Sequence, residues 1–269
     1  MRTLLPVVLL LGAGCAHKPL SASSLDESKL IAFIARIEDE AGPRSNVFRN
    51  DGSYKVRLKR LDDKEGDRRL GNALTVGSLE KNKAGEFEVT HHTISRFEVA
   101  DSLRANTLAQ LPRHSPWSEV VHPVEVARVL ESFLVHEVPA NAPDYDRLAA
   151  LGADTIVEIV VEEYGMRSEK GKAGAYLVGF ARMFRINGPE LYHRRFYSDD
   201  LSAGLEPLDP FAVRKNTELF SDRIKQMVTA ISTQVAKDLT PEERREVAPV
   251  KSRPRKTTPG AVPAADDPL

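Results

Sequence analysis

Cysteine is nearly missing from this chain: Cys15 stands alone among 269 residues. A lone thiol excludes a disulfide within the molecule and a thiolate-rich zinc site, so the core must hold the fold by itself. Net charge is nearly missing too. Basic and acidic residues almost cancel, leaving −1 at pH 7, which removes the electrostatic case for a nucleic-acid partner. The apolar start, Leu4 to Leu11, falls well short of the roughly 20 residues that a spanning helix needs. Catalytic signatures are lacking as well. Neither His-Glu-x-x-His nor Gly-x-Ser-x-Gly occurs, and His17, His91, His92, His114, His122, His136 and His193 form no close ligand pair. His91 and His92 are adjacent and in a strand would point to opposite faces. No internal repeat is visible.

What is present begins at the N-terminus. Arg2, the segment Leu4 to Leu11 and the small residues Gly12, Ala13 and Gly14 lead directly into Cys15. A charge, a short apolar core and small residues before a cut are the parts of a secretory signal. The placement of the cysteine resembles a bacterial lipobox, in which the thiol carries diacylglycerol. Leu11 fits the leading apolar position of that motif, and Gly12 departs from the usual Ala, Ser or Thr. An ordinary secretory signal with an incidental cysteine is the alternative. The expected organisation is a signal peptide at 1–14, a lipid-anchored tether at 15–28, a mixed α/β periplasmic domain at 29–240 and a disordered tail at 241–269. Lipid on Cys15 would hold the protein to a membrane without spanning it. Ala16 after the cysteine favours the periplasmic face of the outer membrane.

Within the domain, 29–92 reads as strand-rich and 93–240 as a helix–strand core. Ile31 to Ile37 has the β-branched density of a strand. Tyr54 to Leu58 alternates apolar and basic residues, as a half-buried strand does. Asp62 to Arg69 reads as a charged loop, and Ala73 to Val76 and Glu86 to Thr90 as strands, with a turn at Lys81 to Gly85. From Thr93 the period changes: Ile94, Phe97, Leu103, Leu108 and Leu111 predict a helix that Pro112 stops. Trp117 to His122 reads as a short strand. Pro123 opens a helix with Val126, Val129, Leu130, Phe133 and Leu134 on one face, and a brief helix over Tyr145 to Leu151 ends at Gly152. Thr155 to Val161, Ala175 to Ile186 and Leu191 to Tyr197 predict three consecutive antiparallel strands. A polar loop at Gly165 to Gly174 and the Asn187-Gly188 hairpin join them. Phe220, Ile224, Met227 or Val228, Ile231, Val235 and Leu239 step by three or four, which predicts a long amphipathic C-terminal helix. The fold class is α+β or α/β, a mixed and largely antiparallel sheet with helices packed on it.

Arg182, Arg185, Arg194 and Arg195 gather on the predicted hairpin beside Tyr176, Tyr192, Phe196 and Tyr197. They make a candidate interaction face for an anion or a glycan; salt pairing with Glu158 and Glu162 on the neighbouring strand is the alternative. Glu158 and Glu162 are evenly spaced and so share a strand face. Such a pair can do acid–base chemistry, and a solvated strand face is the plainer account. Gly171-Lys172-Ala173-Gly174 lacks the phosphate-loop pattern and joins two strands, which reads as a hairpin loop. Lys251, Arg253, Arg255 and Lys256 would meet anionic lipid or cell-wall polymer, or simply solubilise the tail. No catalytic residue, metal ligand or cofactor is assigned.

Leu151-Gly152-Ala153-Asp154-Thr155-Ile156-Val157, then Val161-Glu162-Glu163-Tyr164-Gly165, a hairpin partner and a C-terminal helix, is similar in plan to bacterial envelope lipoproteins. Among these are the curli-secretion-channel lipoprotein and the lipoprotein subunits that accompany ABC transporters. The likeness covers roughly 94–239. It implies an α/β module for assembly or interaction in the periplasm, without catalysis, and carries over no functional residues. The expected function is therefore a lipid-anchored periplasmic interaction or assembly protein with envelope protein partners, bound to the membrane through Cys15. The rivals are a periplasmic hydrolase and a small-ligand carrier acting on cell-wall or lipid material. Glu158, Glu162 and a histidine converging in a deep pocket would favour the hydrolase. An apolar cavity between sheet and helices would favour the carrier.

Overall fold

A computed structural model describes residues 17–38, 41–61, 64–81, 83–136 and 145–242. Cys15 with its signal segment, the basic residues Lys251, Arg253, Arg255 and Lys256, and the side chains of Phe133 and Leu134 lie outside the described residues. The chain runs α1 (Ala22–Asp26), β1 (Ile31–Ile37), β2 (Arg44–Asn46), α2 (Gly52–Arg60), α3 (Gly66–Val76), β3 (Ser78–Lys81), β4 (Phe87–His91), α4 (Arg96–Gln110), α5 (Pro123–His136), α6 (Asp146–Ala149), β5 (Thr155–Glu169), β6 (Lys172–Arg185), β7 (Glu190–Asp199), α7 (Pro210–Lys215) and α8 (Glu218–Leu239).

The fold is α+β. Its main sheet has the order β1-β5-β6-β7, and β2 continues the β1 side along the far half of β5. β5, β6 and β7 form an antiparallel meander, whereas β1 and β2 both run parallel to β5. β3 and β4 form a separate antiparallel hairpin. Strand alternation splits the apolar residues between two layers. Phe33, Val157, Ile159, Ala181, Met183 and Tyr192 point to one face, where they meet Leu103 of α4 and the stripe Phe220, Ile224, Met227, Val228, Ile231 and Val235 of α8. Each large apolar side chain buried there contributes roughly 1.5–3 kcal/mol. On the other face Ala32, Ile34 and Ile156 pack with Val121, with Val126 of α5 and with Leu148 of α6. α4 starts at a reciprocal cap: Ser95 Oγ accepts from the Glu98 N–H at 3.2 Å, and the Glu98 carboxylate accepts from the Ser95 N–H at 2.7 Å.

The strand-rich expectation for 29–92 is corrected by two helices. Tyr54 to Leu58 lies in α2, not in a strand. Asp51 caps that helix, its Oδ1 accepting from the Ser53 N–H at 2.8 Å. Helical spacing puts Tyr54 and Leu58 on the core side and leaves Val56 exposed. Asp67 to Arg69, expected in a loop, and Ala73 to Val76, expected in a strand, belong to α3, which buries Leu70, Ala73 and Leu74 at i, i+3 and i+4. Trp117 to His122 is a series of turns with one bridge, Val120 to Ile31.

The loop expected over Gly165 to Gly174 is strand almost throughout. β5 and β6 continue to a two-residue turn at Lys170 and Gly171, whose φ values of 51° and 77° match the hairpin's twist. Gly165 is there because β2 passes close by: a Cβ at that position would stand 2.1 Å from the Arg44 carbonyl oxygen. The stretch expected as a tether is packed from Lys18 onward. Lys18 and His193 exchange backbone hydrogen bonds of 2.9 and 3.1 Å along the open side of β7, and Leu20 and Leu25 are buried.

Candidate functional site

Strand parity disperses the four arginines of the expected interaction face. Arg182 on β6 and Arg195 on β7 project to the face opposite α8, where they pair with Glu158 and Glu162 of β5. Arg194 projects the other way, its Nη1 2.7 Å from the Asp238 carboxylate of α8. Arg185, at the end of β6, meets Glu27 at 2.6 Å. The aromatic residues divide as well. Tyr192 and Phe196 are in the core, Tyr176 donates to Glu163, and Tyr197 is exposed while its hydroxyl donates to Asp199 at 2.7 Å. The salt-paired alternative is what the side chains adopt.

Glu158 corrects a further expectation. It is fully buried rather than solvated. One carboxylate oxygen accepts from Arg36 Nε of β1 at 3.1 Å and from the Tyr145 hydroxyl; the other accepts from Arg182 Nε. Arg182 lies over the Phe184 ring at 4.9 Å, and Phe184 meets Tyr145 edge-on at 5.3 Å. Two guanidiniums and a phenol thus surround one carboxylate, the arrangement that makes a buried charge tolerable. Burial, reinforced by the Glu158 charge, pushes the Tyr145 hydroxyl well above its ordinary value. Burial works to lower Arg182, and the Glu158 carboxylate outweighs it, so that guanidinium is raised. Composition gave no hint of Arg36 or Tyr145 as partners. The available signal was an arginine inside the apolar strand Ile31–Ile37.

A second ionic cluster closes the end of β7. Asp199 accepts from Arg167 Nε at 2.7 Å, from Tyr197 and from the Leu201 N–H at 2.9 Å. Asp200 accepts from the Ala175 N–H at 2.9 Å and faces Arg223 of α8 at 3.0 Å. These contacts tie the sheet to the long helix. Among the described residues no group of three or more His, Cys, Asp or Glu side chains is placed to hold a metal ion. No described helix is long and apolar enough to cross a membrane.

Among the described residues, a groove of about 420 Å³ opens along β1, between α4 and α5. Ala35 and Ile37 form its floor, Phe97 and Ala100 of α4 one wall, Val126 and Leu130 of α5 the other. Phe97 at the rim is 66% exposed. Arg36, held by Glu158, also lines it, so the buried cluster sets the position of the groove floor. Neither this groove nor the hollow beside Trp117 and Pro112 is lined by Glu158, Glu162 or a histidine. The groove joins three segments distant in sequence, and no single pattern announces it.

No protein-family model matches the chain. The comparison with curated proteins returned none either. Among solved structures, a Xanthomonas campestris protein of the DUF330 family is 12% identical, with a TM-score of 0.34 over 82% of this chain and 87% of that one. PelC from Paraburkholderia phytofirmans, solved as a dodecamer, is 9% identical, with a TM-score of 0.32 over 83% and 94%. A hypothetical protein from Chlamydia trachomatis is 11% identical, with a TM-score of 0.26 over 79% and 98%. At these scores the likeness transfers no function.

Proposed function

We propose that this protein is a lipid-anchored interaction or assembly component of the bacterial envelope, which works by docking and catalyses no reaction. The observation that carries the reading is the groove along β1. It presents a strand edge between apolar walls, a surface suited to holding another chain. Two further features support it. Glu158, the carboxylate best placed for acid–base work, is fully buried and engaged by two arginines and a tyrosine, behind Arg36 and not itself lining the groove. Cys15 behind its apolar segment supplies the anchor, and tethering to the periplasmic face of the outer membrane would raise the effective concentration for partners on the same surface. The similarity in plan to envelope lipoproteins points the same way.

The test is membrane fractionation with mass spectrometry of the mature N-terminus, for wild type and Cys15→Ser, with cross-linking in cells. The expected result is an acylated Cys15, membrane-bound wild type, a released variant and discrete cross-linked envelope proteins. A soluble chain cut elsewhere would overturn the anchor, and acylation without any partner would overturn docking. The groove also favours a second reading, a carrier of a small apolar ligand. Native mass spectrometry of the purified full chain separates the two, since a carrier retains a bound small molecule.

A further inference from the structure

The backbone of β1 narrows what the groove can take. The Val121 N–H donates to the Ile31 carbonyl at 2.9 Å, so Ile31 faces away from β5. In a parallel pair alternate residues face the same way, which turns the N–H and C=O groups of Phe33, Ala35 and Ile37 outward too. None of them has a backbone partner on that side among the described residues. An apolar small molecule would fill the groove and leave those polar groups unpaired. An extended backbone would satisfy them.

The same chain carries a strand with the complementary defect. The β3–β4 hairpin packs on α3 and α7 through β3, leaving β4 as its outer edge. Leu79 lies opposite Val89 and Lys81 opposite Phe87, so Leu79, Phe87 and Val89 share one face. They are 48%, 69% and 36% exposed, an apolar face over which, among the described residues, only the Lys81 ammonium lies, 5.3 Å from the Phe87 ring. On the reverse face Glu80 sits directly opposite Glu88, a like-charge pair that costs stability unless a cation comes near. A two-stranded ribbon of this kind is marginal in water on its own. β4 has 5 residues, the length of the outward-facing stretch from Phe33 to Ile37. Charge agrees in sign: the groove is lined by Arg36 and Arg104 against Asp101, with Arg36 already paired to Glu158 and Glu38 and Arg104 to Asp101, whereas the hairpin carries Glu80, Glu86 and Glu88 against Lys81 and Lys83. β4 leads within a few residues into α4, the wall of its own groove, and lies outside that groove.

We propose that β4 of a second copy of this chain lies along β1 in the groove between α4 and α5, extending the five-stranded sheet from one copy to the next. The proposal rests on the docking function above and names one partner for it. Phe87 and Val89, on one face of the strand, then meet the α4 wall of Phe97 and Ala100, and Glu88, on the other face, turns toward the side of Arg36.

The test is sedimentation velocity of the purified full chain in detergent over a concentration series, with circular dichroism to verify folding. Wild type is expected to self-associate. Phe87→Glu on the exposed hairpin and Ala127→Glu on the exposed groove wall are each expected to weaken association at least tenfold, about 1.4 kcal/mol. Mixing the two variants should restore one contact, because the first keeps its groove and the second its hairpin. A chain monomeric at every concentration, or association that neither variant changes, would overturn the proposal. Photo-cross-linking in cells from position 87 separates this failure from failure of the docking function. Adducts to a different envelope protein refute the second copy and leave docking intact, whereas no adduct to any protein removes both.

Discussion

A buried carboxylate between two arginines is the residue-scale feature with the largest expected energetic effect. Glu158→Ala takes from Arg182 its buried carboxylate and leaves Arg36 only the exposed Glu38, and the expected loss is about 3–5 kcal/mol. Tyr145→Phe removes one hydrogen bond from the same carboxylate and should cost only about 1 kcal/mol. Urea denaturation of the three proteins measures both values; similar midpoints for Glu158→Ala and wild type would show that the cluster adds no cohesion. Asp67 does comparable work at the entry to α3, accepting from the Ser45 hydroxyl and from the Val47 and Phe48 N–H groups at 2.9–3.2 Å. Asp67→Ala strands two backbone donors, with an expected cost of about 2 kcal/mol. Salt pairing of the arginines with Glu158 and Glu162 was legible in the sequence for Arg182, on the strand beside Glu158, whereas Arg195 reaches Glu162 from β7 across β6. The expected common face overlooked strand parity, since adjacent residues such as 194 and 195 cannot share a face in a strand. The burial of Glu158 was not legible, since it depends on α6 bringing Tyr145 across from outside the sheet.

Elements were readable in proportion to their length and periodicity. The stripe of α8 runs through 22 residues, and β5 to β7 carry dense apolar stretches, so both follow directly from spacing. α2 and α3 were obscured for a physical reason. They are short, and the alternation of apolar and basic residues from Tyr54 to Leu58 mimics a strand although Lys, Arg and Leu favour helix; packing of Tyr54, Leu70 and Leu74 decides for helix. Two glycines separate these effects by experiment. Gly52 begins α2 with open space around its missing Cβ, and Gly52→Ala is expected to stabilise by roughly 0.5 kcal/mol. Gly165→Ala would drive a methyl group into the Arg44 carbonyl and detach β2 from β5, with an expected loss of roughly 2 kcal/mol or more. Thermal melts that rank the two variants in the reverse order would contradict this account of the β2–β5 contact.

For the whole molecule, acid is the informative stress. The Gly171 N–H, 2.6 Å from Asp51, holds that carboxyl below its ordinary value. Burial alone would raise Asp199, and the hydrogen bond and charge of Arg167, with the Tyr197 hydroxyl, outweigh it, so Asp199 is lowered as well. Groups depressed in the folded state stabilise fully above their unfolded value of about 3.9, and that stability is lost as pH falls through the folded values. Asp200 is raised by burial and works in the opposite sense, its contribution improving on acidification. Glu98, held down by the Ser95 N–H, is a third lowered group, and three lowered groups against one raised group predict a melting temperature that drops below about pH 4. Asp51→Asn should flatten that drop, and an unchanged acid limb would refute the assignment.

The parallel pairing of β1 with β5 also fixes an order in time. Ile31 meets Thr155, so the first strand of the sheet to leave the ribosome has no partner until most of the chain has followed. At ordinary synthesis rates that interval is on the order of ten seconds. The meander of β5, β6 and β7 needs no such wait, because its neighbours are adjacent in sequence. A nascent chain halted before Thr155 therefore carries Ile31–Ile37 as an unpaired apolar strand, and protection of that segment from protease should begin only once the meander has emerged.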